Sequence, residues 1–340
     1  MLPVVNKFRL LLVAAALMFA AGLAFAAGPP MWAYGFPTPA PAPGAPPPAP
    51  APAAAPAAPA APDTSLKHLA GSTGEFTRQQ ISNQYGPADW YPGDHPQMPP
   101  IVAQGKREAQ VAACSLCHYP NGKGRAENAG VSGLPVTYFI QTMNDFKNGL
   151  RKSADPRKAN TNRMISFAKN MTDDEIKAAA EYFGAMKWSP WMKVIETSMV
   201  PKTRLANGLY LKLEGKETEP MGYRVIETPI DAEATEVLRD ARSGFEVYVP
   251  VGSLKKGEAL VRNGAGRTTA CGLCHGPDLK GMGPVPGLAG RSPSYIGRQL
   301  YDMQNGFRKG EWSELMKPVV AKLTEEDMVD IVAYTASLQP

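Results

Sequence analysis

Two five-residue stretches decide the fold of this chain: Cys114-Ser115-Leu116-Cys117-His118 and Cys271-Gly272-Leu273-Cys274-His275. They lie 157 residues apart in a chain of 340, and the similarity extends outward from them at the same spacing. The residues that match are Gly133 with Gly290, Tyr138 with Tyr295, Asp145 with Asp302, Asn148 with Asn305, Gly149 with Gly306, and Arg151 with Arg308. Chance does not give so many matches at one spacing, so the chain carries two copies of one module.

Each module is predicted to be a small α-helical domain. In each copy the last helix begins with a capping box, in which a Thr and an acidic residue three positions later satisfy each other's backbone N–H. The boxes pair Thr172 with Glu175 and Thr324 with Asp327. No strand is expected inside either module. The predicted helices cover 101–113, 137–149 and 173–186 in the first copy, and 294–306 and 325–338 in the second.

Residues 188–250 connect the modules and belong to neither copy. A short helix is expected over 232–240, and three segments are rich in residues that favour strands. These β-prone segments are 209–214, 223–228 and 245–249. The predicted fold class is therefore mainly α, with two tandem domains joined by an irregular, partly β-prone connector. The first domain covers 64–187, including an N-terminal extension, and the second covers 251–340.

The N-terminus has the pattern of an export signal. Lys7 and Arg9 precede an apolar run over 10–27 that contains the cleavage-like sequence Ala24-Phe25-Ala26. The run has 18 residues, near the lower limit for a membrane span. Residues 1–27 are thus either a cleaved signal peptide or a retained N-terminal anchor. Either way the chain is exported, which in a bacterial cell places it in the periplasm, soluble or tethered to the inner membrane.

Composition excludes several classes of protein. The net charge of +5 demands no basic surface, so no nucleic-acid partner is expected. Four cysteines are too few for a disulfide-rich scaffold, and one apolar run excludes a polytopic membrane protein. Residues 28–63 are dominated by Pro and Ala, which favour extended chain and form no core. This segment is predicted to be a disordered spacer.

The repeated Cys-x-x-Cys-His pattern is the attachment signature of c-type haem. Its two thiols add to the haem vinyl groups, and the adjacent His supplies a nitrogen to the iron. A disulfide, a redox-active dithiol or a four-Cys zinc site would leave both His residues unexplained. The sequence therefore predicts two covalently bound haem c groups. The attachment residues are Cys114, Cys117, Cys271 and Cys274, and the axial ligands are His118 and His275.

With these motifs, the chain resembles diheme cytochromes c built from two class I cytochrome c domains. The resemblance covers about residues 100–187 and 252–340. It implies a distal Met ligand on a loop just before the last helix. Met164 and Met316 fit, because each lies eight residues before its capping Thr.

The resemblance also implies a carbonyl, typically from a Pro, that orients each axial His from the loop after the motif. Pro286 fits this role in the second copy. The aligned residue in the first copy is Ala129, a departure that makes this loop less rigid. His68 and His95 lie outside any haem motif and are not expected to bind iron.

With both axial positions filled, the iron has no open site for a substrate, so the chain is expected to be an electron carrier and not an enzyme. It would pass single electrons between a dehydrogenase or quinol-oxidising complex and a terminal oxidase or reductase. Its redox partners, donor and acceptor, would dock transiently. Two alternatives remain open: a haem subunit of a larger dehydrogenase complex, and a diheme peroxidase, which needs one displaceable sixth ligand.

One group of basic residues is concentrated between the second helix and the Met of the first module. It has two interpretations: a solvated loop, or a docking patch for an acidic redox partner. The residues are Lys147, Arg151, Lys152, Arg157, Lys158 and Arg163.

Overall fold

The computed structural model describes residues 28–38 and 63–340. The predicted signal or anchor, with its possible tether over 10–27, and residues 39–62 of the predicted spacer lie outside this part. No helix in the described part is both long and apolar enough to span a membrane.

The first module is a helical domain around one apolar core. Its helices are Pro100–Ala103, Cys114–His118, Val136–Lys147, Ala159–Asn170 and Asp173–Gly184. The predicted capping box is present, because the Thr172 side chain accepts from the Glu175 N–H and Glu175 accepts from the Thr172 N–H. This box fixes where the last helix begins, and its buried face closes the core with Ile176 and Phe183.

The predicted helix over 101–113 is wrong. The chain forms one turn, Pro100–Ala103, and then a 3-10 turn, Arg107–Ala109. Gly105 lies between them with φ at 66°, and a Cβ on it would come 2.3 Å from the Val111 carbonyl oxygen. This close return of the backbone needs glycine, and it ends the helix early.

The second module repeats the plan with a longer first helix. Its helices are Ser253–Asn263, Gly272–His275, Pro293–Gln304, Glu311–Glu314, Lys317–Val320 and Glu325–Ser337. The Thr324 box is also present, since Thr324 accepts from the Asp327 N–H and Asp327 accepts in return. One detail differs from the prediction of no strands: a two-residue hairpin pairs Gly281–Met282 with Val285–Pro286.

The connector is richer in β-structure than predicted. Phe245–Val249 is the central strand of a three-stranded sheet, parallel to Met192–Glu196 and antiparallel to Ile226–Pro229. The strand over 192–196 was not predicted, and the expected helix over 232–240 is a five-residue π-type turn, Glu233–Val237. Two further pairs of strands join Met199–Pro201 to Thr218–Pro220 and Thr203–Ala206 to Leu209–Lys212.

The N-terminal extension precedes the first module. It forms the strands Lys67–His68 and Glu75–Phe76 and the helix Arg78–Ile81.

Part of the predicted disordered spacer is ordered and buried. Met31–Tyr34 forms one helical turn, and Trp32, Ala33 and Tyr34 belong to the core of the second module. The prediction that residues 28–63 lack a core is therefore wrong for this turn. The sequence Met31-Trp32-Ala33-Tyr34-Gly35-Phe36 carries the signal, three aromatic rings within a Pro/Ala-rich stretch.

The two modules meet along a contact that we call the seam, centred on an antiparallel bridge between Arg151 and Arg308. Four hydrogen bonds cross it in matching pairs. They are Lys152 N to Phe307 O (2.8 Å) with Lys309 N to Leu150 O (2.9 Å), and Arg151 Nη2 to Tyr295 Oη (3.0 Å) with Arg308 Nη2 to Tyr138 Oη (2.9 Å). Each pair exchanges residues that correspond in the sequence repeat. The modules are thus related by an approximate two-fold operation about the seam.

Candidate functional site

Each Cys-x-x-Cys-His motif forms one helical turn, Cys114–His118 in the first module and Gly272–His275 in the second. One turn places both thiols and the imidazole within reach of a single flat group. In the first module, the Ser115 hydroxyl fixes this turn by donating to the Val102 carbonyl (2.8 Å).

The alternatives to haem attachment find no support in the geometry of the cysteines. None of the four cysteines is paired in a disulfide. Burial raises the pKa of Cys114 to about 12 and that of Cys271 to about 11, the opposite of what a redox-active dithiol requires. Among residues 28–38 and 63–340, no cluster of three or more His, Cys, Asp or Glu side chains could hold a metal ion.

Both motif histidines are oriented in the same way. His118 Nδ1 lies 2.8 Å from the Ala129 carbonyl oxygen, and His275 Nδ1 lies 2.7 Å from that of Pro286. A carbonyl only accepts, so each Nδ1 carries the proton and each Nε2 keeps its lone pair. Burial lowers the pKa of both imidazoles, which favours the neutral form that a metal needs. Replacement of Pro by Ala in the first copy leaves this contact in place.

The first motif opens into an internal cavity whose wall includes Met164. Cys114, Cys117 and His118 line the same space. Met164 lies within the helix Ala159–Asn170, and not on a loop as the resemblance implies. The apolar part of the wall includes Phe139, Met143, Phe146, Phe167 and Phe183. A mostly apolar cavity with two thiols, one imidazole and one thioether matches what a haem c requires.

In the second module, Met316 lies immediately before the helix Lys317–Val320 and is half-buried against the core. Cys271 packs against the same core. Met171 in the first module and Leu323 in the second, each seven residues after the proposed Met ligand, are buried core residues.

The cavity of the first module has a cationic end at the seam. Arg151, Lys158 and Arg298 line it, and none is more than 6% exposed. Burial lowers the pKa of Lys158 to about 7, helped by repulsion from Arg298, and burial also lowers the pKa of Arg298. Buried cations facing a cavity are suited to anionic groups such as the two propionates of a haem. The residues present therefore fit the group.

This burial corrects both interpretations of the basic group. Arg151 and Lys158 are neither solvated nor available to a partner, and Arg157 is paired with Asp155 (2.6 Å). Only Lys152 and Arg163 are exposed as a solvated loop would require. Arg151 and Arg308 correspond in the sequence repeat, and the structure pairs them at the centre of the seam.

The two motifs differ in how far the rest of the chain covers them. The connector covers the first, since Tyr119 donates to the Thr235 carbonyl (3.2 Å) and Asn121 to that of Ala241 (2.7 Å). In the second, the Leu273 side chain is 69% exposed, whereas the corresponding Leu116 is half-buried. Covering the first motif is a role of the connector that sequence reasoning missed.

The two histidines outside the motifs lie in different settings. His68 is exposed. His95 forms hydrogen bonds with the Asp89 carboxylate and the Pro96 carbonyl, and its ring contacts Tyr182 of the first module.

Comparison with known proteins places these features in a family. The family model described as Cytochrome c matches residues 102–187 and again 254–339. Cytochrome c4 of Pseudomonas aeruginosa is 23% identical over 235 residues, 68% of this chain and 86% of that protein. The thiosulfate dehydrogenase electron acceptor of Stutzerimonas stutzeri is 23% identical over 242 residues, 70% of this chain and 84% of that protein.

Among solved structures, reduced cytochrome c4 from Pseudomonas stutzeri has a TM-score of 0.44 at 21% identity, covering 68% of this chain and 96% of that chain. The two family matches together span half of this chain, and each contains one Cys-x-x-Cys-His motif. The prediction of two covalently bound haem c groups is thereby confirmed. The chain belongs to the cytochrome c family, as an electron-transfer protein with two tandem cytochrome c domains.

Proposed function

We propose that this chain carries single electrons in the periplasm, between a dehydrogenase or quinol-oxidising complex and a terminal oxidase or reductase. A haem iron, when bound, supplies a one-electron couple. The observation that carries the proposal is that Cys114, Cys117, His118 and Met164 line one cavity. The chain can then fill both axial positions from its own side chains, which leaves no position for a substrate. We infer that it is a carrier and not itself an enzyme.

Each residue of the site has a defined task in this proposal. The carbonyls of Ala129 and Pro286 hold the imidazoles so that Nε2 points away from the loop. The thioethers of Met164 and Met316 would bind the iron together with the imidazoles, and as soft neutral donors they would favour its ferrous form. The aromatic wall excludes water, which keeps the local dielectric low and also favours the less charged, reduced state.

Electrons are exchanged with partners at the second module in this proposal. Its motif is the less covered of the two, and Leu315, next to Met316, is 75% exposed. The nearby charges Glu314 and Lys317 pair with each other (3.4 Å). An apolar, locally neutral surface of this kind suits weak and transient docking of a redox protein.

A thiosulfate-oxidising dehydrogenase is a candidate donor. The relative from Stutzerimonas stutzeri is described as the electron acceptor of thiosulfate dehydrogenase, and it matches 70% of this chain. The same likeness keeps open the second candidate function, a haem subunit held permanently by a dehydrogenase.

We expect the native protein, isolated under mild conditions from periplasm and membranes, to be free of a stoichiometric partner. It should be reduced rapidly when a purified periplasmic dehydrogenase and its substrate are added, because transient docking suffices for electron transfer. Mass spectrometry of what travels with the protein, together with stopped-flow absorbance, checks both points. A dehydrogenase that remains bound through purification would favour the subunit, and turnover of peroxide by the protein alone would contradict the carrier.

Cleavage of the N-terminal signal gives a second expected result. If the signal is cut after Ala26, Edman sequencing of the native protein starts at Ala27 and osmotic shock releases the protein. A sequence that starts near Met1, on a protein that only detergent extracts, would show that residues 10–27 remain as a membrane tether.

A further inference from the structure

The aromatic turn Met31–Tyr34 lies in a groove at the seam, far in sequence from everything it contacts. Trp32 is 5% exposed, and Ala33 and Tyr34 are fully buried. The Trp32 ring packs on Gly297, where an added Cβ would come 2.6 Å from the ring. Its Nε1 donates to the Glu325 carboxylate (3.2 Å) at the start of the last helix. The groove thus accepts the indole in both shape and hydrogen bonding.

The backbone of the turn is held by cations from both modules. The Ala33 carbonyl accepts from Arg298 Nη1 (2.5 Å) of the second module, and the Tyr34 carbonyl accepts from Lys158 Nζ (3.1 Å) of the first. The Tyr34 hydroxyl donates to Asp302 Oδ1 (2.6 Å). A buried cation without an acceptor is strongly unfavourable, so these contacts tie the turn to both sides of the seam at once.

The contacts continue beyond the turn and stay at the seam. Arg157 of the first module stacks on the Phe36 ring, with its guanidinium carbon 4.2 Å from the ring centroid, and donates to the Thr38 carbonyl (2.7 Å). The segment carries no charge of its own, and it meets Arg298 and Lys158 through neutral carbonyl acceptors.

We propose that the groove at the seam is a binding site for an uncharged aromatic peptide segment, that residues 31–36 of this chain are its occupant, and that this occupancy locks the two haem modules together. The segment is a peptide ligand carried by the same chain. The proposal goes beyond electron transfer and depends on neither the donor nor the acceptor.

The test uses the full-length holoprotein and measures hydrogen–deuterium exchange at the amides of Lys152 and Lys309, which bridge the seam. Trp32→Ala should speed exchange at both by about 10-fold or more, because the seam opens more often without its lock. Trp90→Ala is the matched control. Trp90 is equally buried and also donates from Nε1, to the Leu238 carbonyl (2.7 Å), but it belongs to the cluster of the N-terminal extension.

A synthetic peptide of residues 30–37 added to the Trp32→Ala protein should restore protection, whereas the same peptide with Ala in place of Trp should not. Because the added peptide lacks the covalent tether, about millimolar concentration is needed. Unchanged exchange in Trp32→Ala overturns the lock, and faster exchange that the peptide does not restore overturns the binding site. If Trp32→Ala does not accumulate, the same measurement is made on Tyr34→Phe. This variant removes only the Tyr34 hydroxyl that donates to Asp302. Electron transfer enters none of these readouts, so the carrier function is tested separately.

Discussion

Replacing both cysteines of one motif with serine removes one haem from the protein and leaves the other. Cys114→Ser with Cys117→Ser should yield a holoprotein with a single covalent haem, in the second module, and Cys271→Ser with Cys274→Ser should yield the converse. Serine is close to cysteine in size, but it has no sulfur to add to a haem vinyl group, so no thioether bond forms. Intact mass after denaturation checks the result, since the mature polypeptide should carry two haems in the wild type and one in each variant.

The modules have separate apolar cores, so we expect the loss to stay within one module. His68→Ala is the control for an effect of any substitution on haem attachment, and it should retain both haems, because His68 is exposed and outside both motifs. Two haems retained in a cysteine variant would contradict the attachment residues. The loss of both haems in either variant would instead show that the modules mature as one unit.

Local signals were enough to predict most of the two modules. A capping box is a contact between residues three apart, so Thr172 with Glu175 and Thr324 with Asp327 mark helix starts whatever surrounds them. The strand Phe245–Val249 has the bounds that its β-branched and aromatic composition predicts. The Cys-x-x-Cys-His chemistry is likewise contained in five consecutive residues.

The features that sequence reasoning missed depend on contacts across the chain. The turn Met31–Tyr34 is held by Arg298, Lys158 and Asp302 at the seam. Its aromatic residues are a local signal that it is not a plain spacer, but they do not show which part of the chain it contacts. The basic group was interpreted as a surface because charged residues are usually solvated. No local pattern shows that Lys158 is buried in the wall of a cavity, where it can bind an anionic group.

Replacing the methionines proposed as sixth ligands should change a haem more than any other single substitution that leaves it attached. Met164→Ala should lower the potential of the first haem by on the order of 100 mV, because axial ligation sets haem potentials over a range of about 0.8 V and the thioether favours ferrous iron. Met316→Ala should do the same in the second module. Spectroelectrochemical titration measures both potentials in one sample.

Met171→Ala and Met303→Ala are the controls that separate the loss of an iron ligand from the loss of a packed side chain. Met171 is 5% exposed and lines the same cavity as Met164, and Met303 is 9% exposed in the core of the second module, so each loses a comparable buried side chain. Such a loss costs about 2–5 kcal/mol of stability. It should leave the sixth ligand in place, with carbon monoxide still excluded from the reduced protein.

Binding of carbon monoxide then decides between carrier and catalyst. The reduced wild type should bind it slowly or not at all, while Met164→Ala and Met316→Ala should each bind one equivalent at once, because each opens one axial position. The weak near-infrared band of thioether ligation should fall by half in each variant. A wild-type haem that binds carbon monoxide immediately and turns over peroxide would contradict ligation by its methionine. The chain would then be a peroxidase whose second haem supplies the electron, and the cover that the connector places over the first motif would have to be explained as part of a catalytic pocket.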